Sequence, residues 1–184
     1  MVFAGQPGRW RRAARRRVAL CAAGLLLPSV LAGAGTGPGR QALTILHTSD
    51  LHGQVLPEHR PGARGSLAQV ATLVSRIRAE VDHPVLLLDS GDALQGTPLE
   101  ELARVRWSRP SPTVAAMNRI GYQAMAVGNH EFNYGLASLR RAEAEAEFPL
   151  LSANTVDAST DRPAFPPFTV LKAGPVRVGV LGLV

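Results

Sequence analysis

The sequence predicts a layered α/β domain with a largely parallel sheet, and three observations carry that expectation. Short apolar runs rich in branched residues alternate with longer segments of helical periodicity. The turns between them are short and polar, with Gly or Pro at their ends. After each of the first three apolar runs stand side chains with ligand chemistry: Asp50 and His52, then Asp92, then Asn129 and His130. Ligands in parallel sheets gather beyond the carboxyl ends of strands, so the three clusters are expected to share one edge of the fold.

Residues 1–34 precede this domain and read as a signal peptide. Arg9, Arg11, Arg12, Arg15, Arg16 and Arg17 give a basic start without an acid, Val18 to Ala32 is an apolar stretch interrupted by Pro28, and Ala32-Gly33-Ala34 offers small residues for cleavage. An uncleaved anchor stays open as an alternative, although the stretch falls short of the about 20 residues that span a bilayer as a helix. Arg16-Arg17 is compatible with twin-arginine export as well as the general secretory route. The expected location is therefore periplasmic or extracellular, with the membrane met only during export.

Those arginines also account for the formal net charge of +6, so composition gives no support to a nucleic-acid polymer as partner. Free nucleotides remain possible substrates. Cys21, the single cysteine, lies in the same leader. The rest of the chain can make neither disulfides nor thiolate metal sites, and any metal must take oxygen and nitrogen ligands.

Beyond a Gly-rich linker at 35–41, residues 42–46 predict a first buried strand that runs toward Asp50. Leu67, Val70, Ala71, Val74, Ile77 and Val81 recur at helical spacing, with Ser66 placed as N-cap. Residues 85–89 predict a second strand leading to Asp92, and residues 97–107 a partly helical segment. Ser111-Pro112 starts a helix that runs to Ile120 and stops at Gly121. A third strand, 123–127, leads to Asn129 and His130, and 136–147 predicts a helix halted at Phe148-Pro149. Glu143, Glu145 and Glu147 read as its solvated face. Residues 150–154, 168–171 and 176–184 predict three further strands, the last two around a turn at Gly174-Pro175.

The clusters have a common chemistry. Asp50 and His52 are i and i+2, so an extended backbone would send both side chains to one side while Leu51 turns to the core. Asp92 follows Gly91, whose lack of a side chain permits close backbone approach. Asn129 can offer an amide oxygen, and His130 can aim at a substrate. Each cluster alone carries little weight. Three of them after three strands point to a pair of divalent cations, the usual device for activating water and neutralising phosphoryl charge. Imidazole with carboxylate suits zinc, manganese, iron or cobalt better than calcium.

The runs LTILHTSDLHG at 43–53, DSGDALQGTPL at 89–99 and GNHEFNYG at 128–135 resemble the calcineurin-like metallophosphoesterases, in particular the secreted 5′-nucleotidase and 2′,3′-cyclic-nucleotide phosphodiesterase branch. The resemblance implies a layered metallophosphoesterase sandwich and a metal-dependent hydrolase of nucleotide phosphoesters. It also implies the roles: Asp50 and His52 bind a first metal, Asp92 bridges, Asn129 binds a second metal, and His130 is catalytic, stabilising the transition state or protonating the leaving alkoxide.

Two departures qualify the resemblance. Many 5′-nucleotidases have an aspartate three residues after the catalytic histidine, where this chain has Asn133. An amide orients an imidazole without stabilising its protonated form as an anion would. The motif is then closer to the cyclic-nucleotide phosphodiesterase and 3′-nucleotidase members, unless Asn133 merely caps the helix that follows. The family also draws further histidine ligands from later turns and a base-gripping domain from later sequence. The expectation for residues 42–184 is thus the N-terminal part of such a domain, incomplete at its C-terminus, weak or inactive by itself and lacking its substrate domain. His47, His59 and His83 are expected to be ordinary. A non-catalytic remnant and a broader phosphatase or sugar-nucleotide hydrolase remain as alternatives.

Overall fold

The structure, a computed structural model, describes residues 41–58, 65–106 and 110–184. The chain divides into two units, Met1–Gln41 and Ala42–Val184. The signal peptide expected at 1–34, all but the last residue of the linker, Cys21, His59 and the end of the helical segment at Trp107 lie outside the described residues.

Four strands form the central sheet: β1 (Thr44–Thr48), β2 (Val85–Asp89), β3 (Ala124–Ala126) and β4 (Leu150–Leu151). They are parallel throughout and lie in the order β1-β2-β3-β4, with Thr44 opposite Val85, Leu88 opposite Ala124 and Met125 opposite Leu150. Between them run α1 (Leu67–Glu80), α2 (Pro98–Val105) and α3 (Pro112–Ile120), and α4 (Leu136–Glu145) leads into β4. Each crossover is helical because a parallel partner can be reached only by a long return path.

The helices start where local chemistry tells them to. Ser66 caps α1 in a capping box with Gln69, Thr97 caps α2 ahead of Pro98, and Ser111 caps α3 ahead of Pro112. Gly121 ends α3 in the left-handed conformation with φ 81°. Alternation along the parallel strands puts Leu46, Leu87, Met125 and Leu150 on one face, where they meet Leu67, Val74, Val114, Met117 and Leu139 from the helices. Burying each of these large side chains contributes about 1.5–3 kcal/mol. Among the described residues no helix is long and apolar enough to cross a membrane.

Two antiparallel pairs follow the sheet: β5 (Val156–Asp157) with β6 (Arg162–Pro163), and β7 (Phe168–Ala173) with β8 (Val176–Leu181). The second pair matches the strands expected on either side of Gly174. The first falls inside the stretch expected to be a loop, where Asp157 caps a turn by accepting from the Ser159 and Thr160 amides. On the sheet face opposite the helices, burial is graded. Leu151 on β4 and Leu86 on β2 are 0% and 1% exposed, whereas Ile45 on the edge strand β1 is 53% exposed.

One further expectation changes. Glu145 accepts from the Ser111 amide at 2.8 Å and from Arg141 at 2.7 Å, so it ties α4 to the start of α3 instead of lying on a solvated face.

Candidate functional site

The loops that leave β1, β2 and β3 meet at the carboxyl edge of the sheet. The first two are joined by backbone hydrogen bonds from Asp50 N to Gly91 O, His52 N to Asp92 O and Gly53 N to Ala93 O, at 3.1, 2.9 and 2.7 Å. The second and third are joined by the His130 amide, which donates to Asp92 Oδ1 at 2.8 Å. As a result His52, Asp92 and His130 place one ligand atom each within 4.8 Å of the others. Asp50 Oδ1 lies 4.0 Å from His52 Nε2. Asn129 is exposed at the start of a short 3-10 turn, His130–Phe132.

The extended backbone expected across Asp50 and His52 is not what brings them together. Both residues are left-handed, with φ of 55° and 47°, and Asp92 is left-handed too at 58°. Three of the four non-glycine residues with positive φ among the described residues thus stand in this one place. Such backbone costs on the order of 1–3 kcal/mol per residue and persists only where its surroundings hold it. Leu51, as expected, turns into the core at 7% exposure.

Two glycines let the second and third loops touch. A Cβ on Gly91, at φ 99°, would stand 2.5 Å from Gly128 N, and one on Gly128 would stand 2.4 Å from Asp92 Oδ1. No other residue fits either position without moving the loops apart.

The donor set fits a divalent cation. His52 Nδ1 lies 3.0 Å from the Gln95 carbonyl, which can only accept, so the ring proton sits on Nδ1 and the Nε2 lone pair is left for a metal. Asp92 spends one oxygen on His130 N and keeps the other. The ligands are nitrogen and oxygen only, as zinc, manganese, iron and cobalt accept.

Asn133 proves to orient rather than cap. Its Nδ2 lies 2.7 Å from His130 Nδ1, and α4 starts from Gly135 without a side-chain cap. An amide N–H only donates, so this pairing leaves the His130 proton on Nε2. Of the remaining histidines described, His47 Nε2 pairs with Ser90 Oγ at 2.6 Å and His83 Nε2 with Thr44 Oγ1 at 2.8 Å. Neither belongs to the ligand cluster.

Two buried acids beneath the site were not singled out in the sequence. Asp89 ends β2 and accepts from Thr48 Oγ1 at 2.6 Å and from the Gly91 amide at 2.8 Å. Burial pushes its carboxyl up from 3.8 to about 7, against the pull of those hydrogen bonds and with a further push from the nearby Glu131 and Asp50 charges. Glu131 is 3% exposed and accepts from backbone amides of the loops that carry Asp92 and His130. The signal available for both was an acid inside a motif, Asp89 between Leu88 and Ser90 and Glu131 between His130 and Phe132. A partly open cavity of about 50 Å³ adjoins Glu131, lined also by Leu94, Glu100, Tyr134 and Leu139 and by none of His52, Asp92 and His130.

A parallel α/β domain that collects imidazole and carboxylate on three loops at one sheet edge has the build of a metallophosphoesterase. The chain matches the calcineurin-like phosphoesterases over residues 43–176 and belongs to that family. Its members are phosphoester hydrolases that use divalent metals. The chain is 36% identical to a 5′-nucleotidase of Vibrio cholerae, covering 87% of this chain and 31% of the relative. It is 32% identical to a 2′,3′-cyclic-nucleotide 2′-phosphodiesterase/3′-nucleotidase of Yersinia enterocolitica, covering 76% and 24%. A crystal structure of the calcineurin-like phosphoesterase YfkN from Bacillus subtilis superposes with a TM-score of 0.65 at 30% identity, over 77% of this chain and 48% of that one. The chain therefore spans a third or less of the curated relatives it matches here.

Proposed function

We propose that this chain carries the first half of a dinuclear metal centre that hydrolyses nucleotide phosphoesters in an exported enzyme. The observation that carries the reading is that His52 and Asp92, which would hold metal, and His130, which would act beside it, bring one atom each within 4.8 Å of the others from three separate loops. In this reading Asp50 and His52 would hold one cation, Asp92 would be shared with a second, and Asn129 would help to hold that second one. Zinc, manganese, iron or cobalt suits the donors. When bound, two such cations activate water and neutralise the phosphoryl oxygens.

The chain's own residues then have defined tasks. The Gln95 carbonyl holds His52 Nδ1 and leaves Nε2, and the His130 amide engages one Asp92 oxygen and leaves the other. His130, its ring held through Nδ1 by Asn133 with the proton on Nε2, would donate a hydrogen bond from Nε2 to the oxygen that gains negative charge in the transition state. Asn133 in place of an aspartate favours the cyclic-nucleotide phosphodiesterase and 3′-nucleotidase members as the better guide to substrate. Later sequence of the relatives would supply the remaining ligands and the substrate domain, and the leader at 1–34 would direct the enzyme to the periplasm or the exterior.

A second reading, metal binding without turnover by these residues alone, is favoured by the share of the relatives that the chain spans, 31% and 24%. Phosphate release from nucleoside monophosphates, and ring opening of 2′,3′-cyclic nucleotides, with manganese or zinc supplied, tests the proposal. Activity that survives loss of both Asp92 and His130 sinks it. Metal binding without turnover favours the second reading.

A further inference from the structure

Glu131 is the most heavily used side-chain acceptor at the sheet edge, and nothing in the proposed chemistry calls on it. Its Oε2 accepts from the Asp92 amide at 2.8 Å and the Gly128 amide at 2.7 Å. Its Oε1 accepts from the Ala93 and Leu94 amides at 2.8 and 3.0 Å. An ionised carboxylate has about four acceptor sites and no donor, so four amides engage it fully. Three of these amides belong to the loop that carries Asp92, and the fourth belongs to the loop that carries Asn129 and His130.

We propose that Glu131 is a positioning residue for the metal centre, a buried carboxylate that clamps the Asp92 loop to the Asn129-His130 loop and so sets the separation of their ligands. The proposal rests on the metal-centre reading above. Three features support it. Asp92 is left-handed at φ 58° and needs an external restraint, and two of the four hydrogen bonds fall on its own amide and the next. Gly91 and Gly128 bring the two backbones so close that an intervening side chain is excluded, which leaves a carboxylate from the third loop as the bridge. Glu131 follows His130 directly, so the clamp and the His130 amide grip Asp92 from adjacent residues of one turn.

Glu131→Gln is the sharpest test because it keeps the shape and removes two of the four acceptor sites. Whichever way the amide turns, its NH2 faces two backbone N–H groups. Alanine is a poorer choice, since the adjoining cavity of about 50 Å³ has room for a water that could take over some of these amides. Glu100→Gln is the control. Glu100 is similarly buried at 4%, but its carboxylate accepts from Ser111 Oγ and the Thr113 amide at the start of α3 and, unlike Glu131, from no amide of the loops that carry Asp92 and His130; only its stem packs beside Gly53.

In the metal-free chain, amide hydrogen exchange should speed up at least about tenfold at Asp92 and Gly128 or at Ala93 and Leu94 in Glu131→Gln, and at none of them in Glu100→Gln. Mn2+ affinity per folded molecule should fall about 10–100-fold in Glu131→Gln, as for other residues that support ligands. The absorption spectrum of bound Co2+ should change with it, and both should be unaltered in Glu100→Gln. Should Glu131→Gln not fold, Glu131→Asp, which keeps the charge and retracts it by one methylene, is expected to move the same amides and the same spectrum. Unchanged exchange at all four amides, or a parent-like affinity and Co2+ spectrum, would overturn the proposal. A parent chain that binds no Mn2+ is a different result, and it overturns the metal-centre reading itself together with the role built on it.

Discussion

The helix-covered face of the sheet and its carboxyl edge are built on opposite plans. On the helix side, each element is specified by its own neighbours: Ser66, Thr97 and Ser111 cap the helices that follow them, and Gly121 ends its own. The edge is held by partners far apart in sequence. Asp50 leans on Gly91, Asp92 on His130 and Glu131, and Asp89 on Thr48. It also contains three left-handed non-glycine residues and two buried carboxylates. The face thus carries the stability and the edge carries the strain, which persists there because a rigid scaffold holds it.

Substitutions should separate the two regions. The largest loss is expected for Leu87→Ala, which empties a fully buried position on the helix side. About 2–5 kcal/mol should vanish from chemical unfolding, with metal affinity per folded molecule unchanged. Next comes the pH response of the edge. Because the folded-state carboxyl of Asp89 is raised, its contribution is fully present below its ordinary value of 3.8 and is lost as pH rises through about 7. The metal-free chain should therefore lose stability between about pH 4 and 7, on the order of a few kcal/mol, and Asp89→Asn should flatten that slope. A slope that is the same in both proteins would mean that Asp89 is not the group responsible.

Gly91→Ala should cost about 1–3 kcal/mol, since alanine must adopt a left-handed backbone and its methyl meets Gly128. Unlike Leu87→Ala it should also weaken metal binding, because it pushes apart the two loops that bear the ligands. The smallest effect is that of Ser66→Ala, about 1 kcal/mol from one lost cap, with the site untouched. A metal-binding defect in Ser66→Ala would erase the distinction between face and edge.

The same distinction decides what could be read from the sequence. Residues 67–80, 85–89 and 112–120 were legible nearly to the residue because periodicity and caps are local signals. Strand ends were less so: β1 runs from Thr44 to Thr48, two residues later than expected, and β4 stops at Leu151 instead of 154. The β5–β6 pair went unseen because its sequence is that of a loop. At the site, the motif order placed Asp50, His52, Asp92, Asn129 and His130 at one edge. The manner of their meeting was not legible, since left-handed backbone at Asp50 and His52 leaves no mark on residue type beyond a tolerance in aspartate and histidine. Glu131 and Asp89 escaped for a related reason, because their partners are backbone amides and a hydroxyl set by tertiary structure.

The central claim is that three loops of this chain assemble a divalent-cation site. Calorimetric titration with Mn2+ tests it most directly, on the parent chain and on His52→Ala and Asp92→Asn. The parent should bind saturably, and each variant should bind more weakly by at least the about 10–100-fold seen for mere supporting residues. Equal binding by all three proteins, or none by the parent, would contradict it.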